Sequence, residues 1–165
     1  MNTIDLIRSS FEMSSGFSQG LLSDMADAPF ARTREPNGHH AYWILGHLVV
    51  AEAAVLDQYL LGRANRHQAW VPLFGIGSNP RDEQDGGPSY EELLTALNQV
   101  RSGYQSYMDQ IGDEDLDKPC HDNDWPGPDF ESVGECLNAI VMHMCIHAGQ
   151  AACVRRVAGR ERLFI

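Results

Sequence analysis

His143 and His147, in Val141-Met-His-Met-Cys-Ile-His147, stand four residues apart, a spacing that sets two imidazoles on one helical face where a single metal ion can bridge them. His47, in Trp43-Ile-Leu-Gly-His47-Leu-Val-Val, lies in another apolar stretch that could pack beside the first. Together they offer three neutral nitrogen ligands with room for water or substrate. Spacing alone is a weak guide in a chain with seven histidines, because a four-apart pair often arises by chance. Histidines satisfied within the core, or solvated at the surface, are the competing readings. The apolar context favours metal. A buried uncharged imidazole without a partner is costly, whereas a metal takes one ring nitrogen and leaves the other for a hydrogen-bond acceptor.

The neighbouring residues narrow the chemistry. Met144 stands where the HExxH helix of zinc proteases needs its glutamate, so that protease reading is poor. Glu52, five residues after His47, should point away from the histidine face into solvent. Gln150 faces roughly with His143 and His147, either orienting a ligand or making an ordinary helix contact. Trp43 reads as a packing anchor that indirectly positions His47. Tyr42, Tyr59 and Tyr104 could bring phenols near a cavity but suit core edges equally well, and no residue is singled out as catalytic. His67 lies in a connection with no periodic element to position it, which makes it a poorer ligand candidate than His47.

Cys120, Cys136, Cys145 and Cys153 show no CxxC spacing, so neither a structural zinc knot nor a redox dithiol is indicated. They read as small packing residues. Cys136 shares the helical face of His143, but seven residues of helical rise separate their Cα atoms by roughly 10 Å, too far to assume one metal.

Helices must position these groups. The apolar spacing in Ile4-Asp-Leu-Ile-Arg-Ser-Ser-Phe-Glu-Met and on through Phe17, Leu21, Leu22 and Met25 predicts a first helix. Pro29 and Arg32-Thr-Arg-Glu-Pro-Asn-Gly38 should end it and form a connection. A second helix over residues 40–61 turns Ile44, His47, Leu48, Ala51, Val55 and Tyr59 inward before Gly62. Residues 65–87 make a long connection, rich in Gly, Pro, Asn and Asp, whose Trp70, Leu73, Phe74 and Ile76 suit a structural lid or a substrate wall. Ser89-Tyr-Glu-Glu92 is a capping box opening a third helix to about residue 111, burying Leu93 or Leu94, Leu97, Val100, Tyr104 and Met108, with Gly112 as its stop. After a loop holding Pro119, Trp125-Pro-Gly-Pro128 and Asp129, Ser132-Val-Gly-Glu135 gives a second capping box. The helix it opens runs to about residue 158 on a stripe of Val133, Leu137, Ile140, Met144, Ala148, Ala151 and Val154. The expected fold class is all-α: a four-helix bundle with up-down packing across the first and last connections and a long connection between helices two and three that crosses the bundle.

A chain of 165 residues fits a single domain spanning 1–165, with no internal repeat. The formal charge of −11 opposes binding to a nucleic-acid backbone. The one compact basic group, Arg155, Arg156, Arg160 and Arg162, suits a helix end and a solvated tail. Acidic residues concentrate over 109–135, where Asp113-Glu-Asp-Leu-Asp117 reads as a solvated loop because the twelve-residue calcium pattern is absent. No uninterrupted apolar run approaches the about 20 residues that span a bilayer, and no signal segment stands at the start, so no membrane partner and a cytoplasmic setting are expected.

The chain resembles the DinB and YfiT-like superfamily of metal-binding four-helix proteins. The matching features are Trp43-Ile-Leu-Gly-His47, the 70–80 connection with Leu73-Phe-Gly75, the Pro88-Ser-Tyr-Glu-Glu-Leu93 helix start, and His143-xxx-His147-Ala-Gly-Gln150 followed by Arg155-Arg156. The resemblance implies a DinB-like bundle in which His47, His143 and His147 occupy the three metal positions, and a homodimer. Related branches include metal-dependent hydrolases, and transferases or isomerases that use low-molecular-weight thiols. A zinc or nickel ion is the expected metal; imidazole ligands also accommodate iron or manganese. The function this implies is a divalent-metal-dependent S-transferase joining a thiol cosubstrate to a small-molecule substrate, the open metal position lowering the thiol pKa. The alternatives are a metal-dependent hydrolase and a non-enzymatic metal-containing stress or interaction module.

Overall fold

Each long helix opens on a side chain that satisfies its first free N–H groups. Asn2 accepts the Asp5 N–H at the start of α1, Thr3–Ser23. The Asp113 carboxylate accepts the N–H groups of Thr3 and Ile4 from the other side of the chain. The acidic stretch read as a solvated loop therefore caps α1. His40 opens α2, Ala41–Ala54, its Nδ1 accepting the Trp43 N–H. Ser89 and Glu92 form the expected reciprocal capping box at α4, Tyr90–Met108. At α5, Val133–Val157, only half of the second box forms: Ser132 Oγ accepts the Glu135 N–H, while the Glu135 carboxylate accepts the Glu131 N–H instead. A short α3, Val71–Phe74, lies between α2 and α4. These elements belong to a computed structural model that describes residues 1–32, 38–81, 86–121 and 125–163. Most of the 32–38 connection, residues 82–85 of the long connection and residues 122–124 of the acidic stretch lie outside the described residues.

Contacts along the helices give their directions. α1 and α5 run parallel, with Ser14 beside Met144 and Asp24 bonded to Arg155. α2 and α4 also run parallel, since Tyr42 reaches the Pro88 carbonyl and Arg101 grips Glu52. α1 opposes α4, with the Tyr90 hydroxyl on the Leu22 carbonyl and Phe11 against Tyr104. The order is thus up, down, down, up. α1 packs on α5 and α4, and α2 on α4 and α5, so each helix lies diagonally opposite the one it joins through the first or the last connection. The long middle connection returns the chain along the bundle, as two parallel neighbours require.

That return covers α2. All fourteen residues of α2 are buried, because α4, α5 and the 68–74 segment enclose it. A helix apolar all round belongs in the core. Its α-helical hydrogen bonding ends at Ala54, and a π-helix, Val55–Leu60, continues it in place of the unbroken α-helix predicted to residue 61. Gly62, at φ +61°, then ends the helix in the left-handed conformation that glycine accepts at no steric cost. Asp57, wholly buried in the π segment, takes Arg63 and Arg66 and so anchors the start of the return.

Glu52 departs from expectation most clearly. It is 0% exposed, and Arg101 of α4 binds both of its oxygens at 3.0 and 2.9 Å. Arg101 also bonds the Ser15 carbonyl and Ser18 Oγ of α1, and the Tyr104 hydroxyl donates to the Glu52 carbonyl. With α2 enclosed on every side, a residue facing away from His47 meets another helix and not solvent. Phe17, Leu6 and Met13, part of the apolar pattern of α1, lie on its exposed side.

Candidate metal centre

His47 projects from the middle of α2, and His143 and His147 from one face of α5, toward the same point. The Nε2 of His143 lies 3.2 Å from that of His47 and 3.1 Å from that of His147. The ligand-capable atoms of all three lie within 4.8 Å of one another. The packing of α2 on α5 thus brings together the three histidines that the sequence singled out. His67 stands apart, stacked on Trp70.

The other ring nitrogens decide which lone pairs point inward. His47 Nδ1 donates to the Phe74 carbonyl at 2.8 Å, and His147 Nδ1 to Gln150 Oε1 at 2.8 Å. With those protons on Nδ1, both Nε2 atoms present lone pairs to His143. A single proton on His143 Nε2 could satisfy one of these contacts, never both. A cation satisfies all three nitrogens, and two bonds of about 2.0–2.1 Å at a tetrahedral angle hold nitrogens about 3.3–3.4 Å apart. His143 Nδ1 is buried and has no hydrogen-bond partner among the described residues. The donor set and its spacing fit a divalent ion.

Electrostatics agree. Burial pushes His143 down to about 3, helped by His147, His47 and Arg101. It pushes His147 down to about 4, with His47 adding and Gln150 opposing. Burial also lowers His47, against the pull of the Phe74 carbonyl. All three imidazoles are therefore neutral near pH 7, the form that binds metal.

Local structure explains the aim. Phe74 ends α3, so its carbonyl has no partner within that helix and is free for His47. Gly46 permits the approach: a Cβ there would lie 2.3 Å from the Phe74 ring. Trp43 is stacked between His39 at 3.9 Å and His47 at 4.7 Å, its indole N–H donating to Ser78 Oγ. The packing role assigned to Trp43 is what the structure holds. Gln150 contacts His147 directly.

A sequence model of the DinB superfamily matches residues 17–151. The chain belongs to the DinB superfamily. Among solved structures, a conserved protein of Enterococcus faecalis has the same fold, with a TM-score of 0.66 at 21% identity over 97% of this chain and 99% of that one. No curated protein matches the sequence. The DinB-superfamily bundle here carries a histidine cluster suited to a divalent metal.

Beside the cluster lies a cavity of about 170 Å³. His47 and His143 form one side, and Ile76, Trp125, Phe130 and Ile140 are among its apolar walls. In the long connection, the Phe74 carbonyl holds His47 and Ile76 lines this cavity. None of Tyr42, Tyr59 and Tyr104 lines this cavity, and their hydroxyls donate to the carbonyls of Pro88, Pro128 and Glu52. Sequence reasoning missed the Phe74 carbonyl, which no residue type signals, and Arg101, which spacing could not pair with Glu52.

Proposed function

We propose that this DinB-superfamily protein, read as one domain over 1–165, binds a divalent metal through His47, His143 and His147 and joins a low-molecular-weight thiol to a small apolar electrophile. The observation carrying this reading is the convergence of three neutral Nε2 atoms beside an apolar cavity of about 170 Å³. A cavity of about 150 Å³ accommodates benzene, which sets the size of the group to be bound. Zinc or nickel is the preferred ion, with iron or manganese compatible with the same ligands. When bound, such an ion supplies Lewis acidity favouring the deprotonated form of a thiol or of water.

The protein's own groups do the rest. Phe74 and Gln150 hold two rings in the tautomer that aims Nε2 inward. Ile76, Trp125, Phe130 and Ile140 exclude water and hold the electrophile's apolar part. In the transfer, the thiol sulfur forms a bond to an electrophilic carbon, the leaving group departs with its electron pair, and the thiol proton passes to solvent. Transfer is favoured over hydrolysis because no carboxylate stands among the described residues that line the cavity, so none is placed there to serve as a base for water. The apolar cavity likewise favours an enzyme over a purely structural metal module.

A cytoplasmic homodimer completes the proposal. α5 has the length and mean hydropathy, 1.3, of a membrane-crossing helix, though its inner face packs in the bundle. Its outer stripe exposes Met142, Ile146 and Val157, and α1 alongside exposes Leu6, Met13 and Phe17. Such paired stripes suit a second copy of the chain.

Elemental analysis of unsupplemented protein, beside a His47→Ala, His143→Ala double variant checked by circular dichroism, tests the site. Near-stoichiometric metal in the parent alone, followed by metal-dependent conjugation of a thiol to a benzyl-type electrophile, is the expected result. No metal in either after reconstitution overturns the metal-site proposal. Metal without conjugation of any thiol, with hydrolysis of an ester instead, moves the assignment to the hydrolase.

A further inference from the structure

Cys120 and Cys136, sixteen residues apart in sequence and sharing no motif, place their sulfurs 3.0 Å apart. Cys136 is buried in the first turns of α5, and Cys120 is partly exposed where the chain approaches that helix. Cys145 and Cys153 lie farther along α5. Cys120 and Cys136 both pack in the apolar core as small residues, and the turn after α4, folding back onto the start of α5, also brings their sulfurs face to face.

The backbone around the pair is already closed. Pro119 bridges Ser132, the Val133 N–H donates to the Lys118 carbonyl, and the Gly134 N–H to the Leu116 carbonyl. Between the two cysteines in sequence stand Trp125, Pro128 and Phe130, three residues of the cavity wall. Phe130 packs its ring on Tyr59, whose hydroxyl donates to the Pro128 carbonyl.

We propose that Cys120 and Cys136 are a redox-active pair whose oxidation to a disulfide clamps the wall of the cavity. The sulfurs need to approach by only about 1 Å to reach a bonded separation of about 2.05 Å. The oxidant is a low-molecular-weight disulfide. Cys120, the more accessible thiol, loses its proton and attacks one sulfur of that disulfide, releasing one thiolate. Cys136 then loses its proton and attacks the sulfur of Cys120, releasing the second. The protein loses two hydrogens, the disulfide becomes two thiols, and electrons balance. Burial raises the pKa of both cysteines, so the pair rests as protonated thiols and waits on an oxidant instead of acting as a standing nucleophile. The proposal is independent of the metal.

The test equilibrates the native protein in buffers of 2-mercaptoethanol and 2-hydroxyethyl disulfide, followed by acid quench, alkylation and peptide mapping. The expected product has lost two of four thiols together, in a linked Cys120–Cys136 peptide. Its thermal midpoint rises by roughly 5–10 °C, because a loop of this length is closed in the unfolded chain. Amide exchange over residues 125–132 slows by roughly tenfold or more. Cys120→Ser abolishes all three changes, and Cys136→Ala provides a second check, while the Cys145→Ser, Cys153→Ser double variant retains them. Alkylation of both Cys120 and Cys136 under oxidising conditions overturns the pair, as do oxidised products linked only through Cys145 or Cys153. A lowered midpoint or unchanged exchange in the linked protein overturns the clamp.

Discussion

The three imidazoles are held neutral by burial before any ion arrives, and this has a sign that can be measured. Their folded pKa values lie below the ordinary 6.5, at about 4 for His147 and about 3 for His143. As pH falls below about 6.5 the unfolded chain takes up protons that the folded chain refuses, so the metal-free protein loses stability from there toward about pH 3. Ring resonances of His143 and His147 should hold their neutral shifts at pH 5, and the urea midpoint of metal-free protein should be lower at pH 5 than at pH 7; protonated rings at pH 5.5 would contradict this. Gln150→Ala removes the acceptor that fixes the His147 tautomer and should weaken metal affinity by about 10–100-fold without unfolding the chain, as read by competition with a chelator. Sequence made the histidines and Gln150 legible because four-residue spacing and a shared helical direction translate directly into position. It could not show the Phe74 carbonyl or the Cys120–Cys136 pair, since each depends on where a connection folds back.

At the scale of elements, helix periodicity and capping residues gave α1, α4 and α5 nearly their observed extents, because these helices each have distinguishable inner and outer faces. α2 was legible as a helix but not in its surroundings. A helix enclosed on every side carries no polar stripe, so nothing in its pattern announces that Glu52 faces Arg101. That pair ties α2 to α4 and, through Ser15 and Ser18, to α1. Arg101→Met leaves a buried carboxylate unpaired and should cost about 3–5 kcal/mol, measurable as a lower urea midpoint. Gly46→Ala tests a different joint. Its methyl group meets the Phe74 ring, so the α2–α3 contact must open at a cost of about 1–3 kcal/mol. The displaced Phe74 carbonyl releases His47 Nδ1, and metal affinity should fall along with stability. A variant that loses stability yet keeps full affinity would show that the carbonyl does not orient His47.

For the whole molecule, the up, down, down, up order puts the parallel pair α1 and α5 on one side and lets the long return cover α2 on another. The cavity then lies beside α2 and the inner face of α5, while the outer face of α5 is left with large apolar side chains and, at Gly149, open space for a close approach. The same helix thus presents His143 and His147 to the bundle interior and an apolar stripe of Met142, Ile146 and Val157 outward. In the proposed homodimer the stripe is covered by a second copy that carries the same formal charge of −11, and the repulsion between the copies is screened by salt. Dimerisation through α1 and α5 should therefore strengthen between low and moderate ionic strength. Ile146→Asp adds a further negative charge to the stripe and should shift the protein to monomer in sedimentation across a concentration series. Because its side chain points away from the cavity, the monomeric variant should keep its metal. Loss of metal on dissociation would place the dimer contact in support of the histidines, and a parent protein that stays monomeric at every concentration and salt would assign the stripe to another partner.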